Sequence, residues 1–281
     1  MKRRPFVSAI FWTNPPQTGN SRIVQSAPLL DRVGHRGITL IHEVGAMMLL
    51  LVRALRALGA RPVRWQLFVQ QMEFIGAGSL FIVLLTGSFT GLVLALQLVD
   101  GFSRFQAEGL TGATMSLALC REMGPVLTGL IVTGRVGSSM ATELGTMRVT
   151  EQIDALKTMA VDPIQYLVSP RILAGLVMVP VLTLFFTMVA LIGAEYVTVE
   201  IMGVDRGLYK GNIRNILMAK DIYIGLVKSV VFGITITTVA CYKGYYAFGG
   251  ARGVGNATTQ SVVHSFIAIF ILDYVITAIW L

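Results

Sequence analysis

Two stretches of this chain, residues 74–99 and 172–194, contain no charged side chain. A helix needs about 20 apolar residues to cross the roughly 30 Å of a bilayer's hydrocarbon, so each is long enough to span it. Three weaker windows follow the same logic. Residues 117–142 are interrupted by Arg121, Glu122 and Arg135, residues 222–242 by Lys228, and residues 262–281 by Asp273. The whole chain is 54% hydrophobic and only 14% charged, where soluble domains carry about 25% charged residues. The expected fold is an all-α integral membrane protein: an N-terminal interfacial amphipathic helix, then five transmembrane helices, with a short cytoplasmic helix between the second and third.

Orientation follows from the loops, because cytoplasmic loops are enriched in Lys and Arg. With the N-terminus inside, sixteen basic residues fall on the inner side and five outside. The N-terminus is therefore expected in the cytoplasm. The net charge of +8 reads as membrane orientation and contact with anionic headgroups, and nucleic-acid binding is the poorer explanation. At the N-terminus, Lys2 to Arg4 precede only the brief patch PFVSAIFW and then TNPPQTGN, so no cleavable signal is expected. Residues 1–28 read as a flexible extension. Residues 29–61 mix apolar positions with charges, and their longest charge-free run, 44–52, is too short to cross, which predicts a helix lying in the interface.

The chain shows no G-x-x-x-x-G-K-[ST] loop and no G-x-S-x-G elbow, so no catalytic site of its own is expected. Cys120 and Cys241 fall toward opposite membrane faces, which argues against a disulfide, and neither has metal-ligand spacing with a histidine. Gly87 and Gly91 form a G-x-x-x-G pair, and small residues from Gly124 to Ala141 line the second span; both predict close helix packing, within the bundle or across a homodimer. Pro125 and Pro180 lie inside spans, where each frees a backbone carbonyl.

Charges inside a span are costly and usually functional. From the helical rise, Arg121, Glu122, Lys228 and Asp273 all fall in the outer half of the bilayer. Two readings of that layer compete. The charges pair to neutralise the bundle, or they line a wet cavity where a cation holds a lipid phosphate. On the cytoplasmic side, residues 150–160 read as a short amphipathic helix. Thr150 is its expected cap, Ile153, Leu156 and Met159 share one face, Glu151, Gln152 and Asp154 flank it, and Asp162-Pro163 ends it. An exposed apolar ridge of this kind suits a groove on a partner protein.

Several stretches, REMGPVLTGLIVTGRVGSSMATELGTMRVTEQIDAL, MAVDPIQYLVSPR, LVKSVVFGITIT, GVGNATTQSVVHS and LDYVITA, resemble the MlaE/YrbE-type permease subunits of phospholipid-transporting ABC systems. The resemblance covers most of the chain from about residue 29. It implies a homodimeric permease that works with two cytoplasmic ABC ATPase subunits, a periplasmic hexamer of MCE-domain proteins and a small cytoplasmic STAS-domain subunit. Such a permease moves glycerophospholipid between the bacterial inner membrane and that ring and maintains outer-membrane lipid asymmetry. Its cofactors, ATP and Mg, belong to the partner ATPase. Carried over by position, Glu151 to Met159 form the helix that couples to the ATPase, and Arg121, Glu122 and Lys228 fall in the lipid cavity, with Asp273 in the same layer. Asn256 and Gln260 stand where some relatives carry basic residues. The main rival is a secondary transporter or channel in which Glu122, Lys228 and Asp273 relay an ion; it predicts an internal repeat, and none is seen across five spans. An intramembrane enzyme built on His264 and Ser138 has no motif to organise it.

Overall fold

The structure, a computed structural model, describes residues 29–58 and 65–280. The expected extension at 1–28 lies outside the described residues, as do residues 59–61 of the expected interfacial helix. Among the described residues all regular structure is helical. The chain divides into two units, Met1–Met48 and Leu49–Leu281. Helix α1 is Leu29–Leu58. In the first unit its described side chains Ile38, Ile41, Val44 and Met48 are exposed, at the spacing of one helix face.

In the second unit five helices are long and apolar enough to cross a membrane: α2 (Trp65–Ser103), α3 (Glu108–Val149), α5 (Ile164–Ile201), α7 (Ala219–Tyr245) and α8 (Gly250–Trp280). Each extends past the apolar window read from the sequence. Two short helices complete the unit, α4 (Gln152–Thr158) and α6 (Arg206–Ile216).

The buried side of α2 runs Ile75, Ser79, Val83, Gly87, Gly91, Ala95 and Val99. Every fourth residue forms a single ridge, and a ridge of such small side chains lets a neighbour approach closely. That neighbour is α5. A Cβ on Gly87 would stand 3.0 Å from the Phe186 carbonyl, and Gly91 faces the backbone of Ala190. The G-x-x-x-G pair thus works within the bundle. Helix α7 is the most enclosed of the five and contacts α3, α5 and α8; Gly225 meets the Cys120 carbonyl and Gly233 the Gly175 carbonyl. By contrast α8 exposes Val263, Ile267, Phe270, Ile271 and Tyr274.

Helix α3 is not uniform. It contains two π turns, Leu119–Met123 and Thr133–Gly137, and these hold all three charged residues that interrupt its apolar window. Pro125 follows the first; without an N–H it cannot bond to the carbonyl four residues back, so the ladder must be rearranged there.

Helix α6 was not anticipated. Asp205 caps it, accepting from the Leu208 amide at 2.7 Å, as an N-cap carboxylate should. Its Tyr209 is buried with the ring against Gly112. Burial, and secondarily the nearby Glu195 carboxylate, push the phenol up to about 12.

Candidate functional site

The charged layer resolves into two groups. Lys228 of α7 is fully buried. Its ammonium donates to Glu122 Oε2 of α3, to Asp273 Oδ1 of α8 at 2.8 Å and to Thr277 Oγ1 at 2.7 Å. An ammonium has three protons, so all its donors are spent within the chain. Thr277 has one proton and uses it on the Asp273 carbonyl at 2.8 Å; its 3.3 Å approach to Glu122 Oε1 is then a contact between acceptors. Three helices distant in sequence are thereby tied at one point, with two carboxylates against one ammonium.

Arg121 stands apart from this cluster. Its Nε lies 3.6 Å from Asp221 Oδ1, an ion pair too long for a hydrogen bond, and among the described residues Nε finds no acceptor. Asp221 is itself occupied at the start of α7, where Oδ2 accepts from the Met218 amide at 2.9 Å. The Arg121 side chain is 26% exposed, whereas Lys228 is sealed. The structure thus brings Glu122, Lys228 and Asp273 together, leaves their sequence neighbour Arg121 on another partner, and adds Asp221 and Thr277. Sequence reasoning missed both. Thr277 was findable, since it lies four residues after Asp273 on the same helix face. Beside this region an apolar cavity of about 210 Å³ is lined by Leu94, Leu98, Met115, Leu119 and Met123 among others.

At the other end of α3 the chain reverses through Glu151, a non-glycine residue at φ 60°. That left-handed conformation costs a residue with a Cβ roughly 1–2 kcal/mol. It redirects the backbone so that α4 folds back on the bundle. The expected cap, Thr150, instead ends α3, with its hydroxyl on the Thr146 carbonyl at 2.8 Å. Met159 and Ala160, at φ 59°, close α4 before Asp162-Pro163 is reached. Asp162 serves the next element, Oδ1 accepting from the Ile164 amide at 2.9 Å.

The face of α4 also differs from expectation. Ile153 is completely buried with Leu144, Leu167, Val168 and Ile172 of its own chain, and Leu156 is partly buried against that cluster. Glu151, Gln152, Ala155, Thr158 and Met159 are exposed. Ile153 points into the chain's own core, and of the three apolar residues only Met159 is exposed. Asp154 holds the helix in place, bonding to Arg148 Nη1 at 2.9 Å and Lys157 Nζ at 2.8 Å. The Lys157 hydrogen bond, with the Arg148 charge behind it, keeps its carboxyl below the ordinary range against a smaller effect of burial. Nearby, the buried Arg171 joins α5 to α3, with Nη2 on Glu143 Oε1 at 2.9 Å and Nη1 on the Leu167 carbonyl at 2.7 Å.

The remaining sequence candidates are not assembled into chemistry. Gln260 Oε1 accepts from Lys243 Nζ at 3.3 Å. Ser138 bonds to carbonyls of its own helix, and His264 Nδ1 pairs with the Gln260 carbonyl at 2.6 Å. Among the described residues no group of three or more His, Cys, Asp or Glu side chains is placed to hold a metal.

Five membrane-length helices, a buried ion cluster near one end and a folded-back amphipathic helix at the other define a multi-pass helical membrane protein. The family model described as Permease MlaE matches residues 68–279, and the chain belongs to the MlaE permease family. It is 43% identical over 252 residues to a probable ABC transporter permease protein of Rickettsia felis, covering 90% of this chain and 97% of that one. It is 36% identical over 253 residues to the intermembrane phospholipid transport system permease protein MlaE of Haemophilus influenzae, covering 89% and 96%. Over 216 residues it is 38% identical to the chloroplastic protein TRIGALACTOSYLDIACYLGLYCEROL 1 of Arabidopsis thaliana, covering 77% of this chain and 62% of that protein.

Proposed function

We propose that this chain is the permease subunit of an ABC transporter that moves glycerophospholipids between the bacterial inner membrane and a periplasmic hexamer of MCE-domain proteins, maintaining outer-membrane lipid asymmetry. The observation that carries this reading is the alignment over 89% of the chain with a relative named for intermembrane phospholipid transport. The chain acts as a homodimer, with its N-terminus in the cytoplasm. Two cytoplasmic ATPase subunits bind ATP and Mg and hydrolyse the nucleotide, and a small STAS-domain subunit joins them; this chain has no catalytic role.

In this reading the exposed edge of α4, around Gln152, Ala155 and Met159, receives the ATPase. Ile153 fastens α4 to the ends of α3 and α5, and those helices carry its movement to the periplasmic half. There Arg121, which keeps an unsatisfied Nε, takes the lipid phosphate, and acyl chain enters the adjoining apolar cavity. Lys228 and Asp273 fix the wall, and Glu122, with its side chain 38% exposed, faces the lipid beside Arg121. Lipid occupancy can be shifted only as far as the two states differ in affinity for it, so the charge facing the headgroup is the decisive group.

The test is ATP-dependent transfer of labelled phospholipid by the reconstituted complex. Transfer is expected to be lost in Arg121→Glu while ATPase association persists, and association is expected to be lost in Met159→Asp. Unchanged transfer by Arg121→Glu would remove the lipid assignment. Lipid movement driven by a proton gradient without ATP would favour an ion relay through Glu122, Lys228 and Asp273.

A further inference from the structure

Arg135 differs from the other enclosed arginines of the bundle. Arg121 and Arg171 each meet a carboxylate. Among the described residues Arg135 meets none. Its Nη1 donates to the Phe74 carbonyl at 3.2 Å and to Ser79 Oγ at 3.0 Å, and the guanidinium lies 5.7 Å from the centre of the Phe74 ring. A guanidinium has five N–H donors, and among the described residues Nε and Nη2 have no acceptor. The guanidinium lies against Gly78, where a Cβ would fall 2.6 Å from Nη1.

Arg135 lines a cavity of about 370 Å³ together with Gln70, Glu73, Phe74, Ala77 and Gly78. The space is an open groove rather than an enclosed cavity. Its depth is fixed twice over. Glu73 immediately precedes the charge-free window of α2, so it marks the edge of the hydrocarbon. Counting along α3, Arg135 lies fourteen residues from Arg121, about 21 Å across a core of roughly 30 Å. The cavity therefore opens at the membrane face opposite the Lys228 cluster. Glu73 is exposed and has no cationic partner among the described residues. The cavity thus presents an unpaired cation and an unpaired anion that are not bonded to each other.

A single phosphate would satisfy the arginine and be repelled by the glutamate. A headgroup that carries both a phosphate and an ammonium satisfies both. We propose that this cavity is a second headgroup site, selective for amine-bearing phospholipids of the leaflet opposite the Lys228 cluster, with phosphate on Arg135 and ammonium on Glu73. The inference rests on the phospholipid-transport reading and adds to it the point where lipid is taken from, or returned to, that leaflet.

The test uses the full chain in nanodiscs, with a photo-crosslinking residue at the exposed Gln70. The discs contain phosphatidylcholine doped with labelled phosphatidylethanolamine or labelled phosphatidylglycerol. Wild type is expected to capture phosphatidylethanolamine in preference. Glu73→Gln is expected to lower that capture about tenfold, the scale of one charge-assisted hydrogen bond, while sparing phosphatidylglycerol. Arg135→Gln is expected to lower capture of both. Because Glu73 makes no hydrogen bond or ion pair among the described residues, its variant decides alone if Arg135→Gln does not fold. Equal capture of the two lipids by wild type, or capture untouched by Glu73→Gln, overturns the site. ATP-dependent transfer by the assembled wild-type complex is measured separately: its absence defeats the transport reading, whereas capture is read without ATP and judges the site alone.

Discussion

Replacing Lys228 with Met tests whether the buried cluster holds the helices together. Methionine keeps the apolar stem and removes the cation that pairs with Glu122 and Asp273. Removing one partner of a buried ion pair costs about 3–5 kcal/mol, because the other charge is stranded. For a chain of this length that corresponds to a fall in apparent unfolding temperature on the order of 10 °C. Neutralising an acid is cheaper, since Lys228 keeps the other carboxylate. Asp273→Asn is expected to cost about 1–3 kcal/mol, the loss of one charged hydrogen bond. Glu122→Gln should cost less still, because Glu122 is 38% exposed against 21% for Asp273 and water screens it. The triple variant Lys228→Met, Glu122→Gln, Asp273→Asn leaves no stranded charge and should recover most of the loss. Heating purified protein in detergent and measuring the folded fraction by fluorescence-detected size exclusion gives the order. A Lys228→Met protein within about 1 kcal/mol of wild type, or a triple variant no better than the single one, would refute the reasoning.

Ile153→Ala is expected to destabilise the chain by about 2–5 kcal/mol through the cavity it leaves, whereas Met159→Ser should stay within about 0.5 kcal/mol; the same thermal assay separates them. Gly91→Val pushes a branched side chain into the Ala190 backbone, and overpacking of that kind costs about 1–3 kcal/mol, visible as a lower unfolding temperature. The Asp154 carboxyl lies below its ordinary value of 3.8 in the folded chain. Its stabilisation of α4 is therefore fully present above that value and is lost as pH falls through the lower folded one. Hydrogen exchange should show α4 protected from neutral pH into mild acid, with the acid-side loss absent in Asp154→Asn.

The spans were legible because hydropathy reports the hydrocarbon they cross. Their ends were not: Trp65 to Glu73 and Gly250 to Ser261 are helical but too polar to register, since a helix outlasts the membrane around it. Helix α6 escaped for the same reason, being rich in Arg206, Lys210 and Arg214, although Asp205 carried a cap signal. Glu122, Lys228 and Asp273 announced themselves by the cost of charge in lipid. Arg121 was grouped with them by adjacency, yet consecutive helical residues point about 100° apart, and its carboxylate proved to be Asp221. For α4 the pattern showed that Ile153, Leu156 and Met159 share a face. Which part of that face the chain itself covers depends on the left-handed turn at Glu151, and periodicity does not encode it.

The three charged residues that interrupt the apolar window of α3, Arg121, Glu122 and Arg135, sit where its backbone is irregular, and the two facts have one cause. Pro125 removes the donor that the Arg121 carbonyl needs in a regular helix, and the widened turn Leu119–Met123 absorbs the extra residue. Gly225 lets α7 reach the Cys120 carbonyl there, which brings Lys228 within reach of Glu122. In the second turn Ser138 Oγ bonds back to the Gly134 carbonyl at 2.5 Å, while the Arg135 side chain reaches across to α2. Each π turn therefore frees backbone groups and presents a cation at one level of the bundle, one near each membrane face. A regular α3 would rotate the segment before each turn by a full residue and carry Glu122 away from Lys228. The breaks in the helix are what allow one span to carry polar groups at both levels while its remaining length stays apolar.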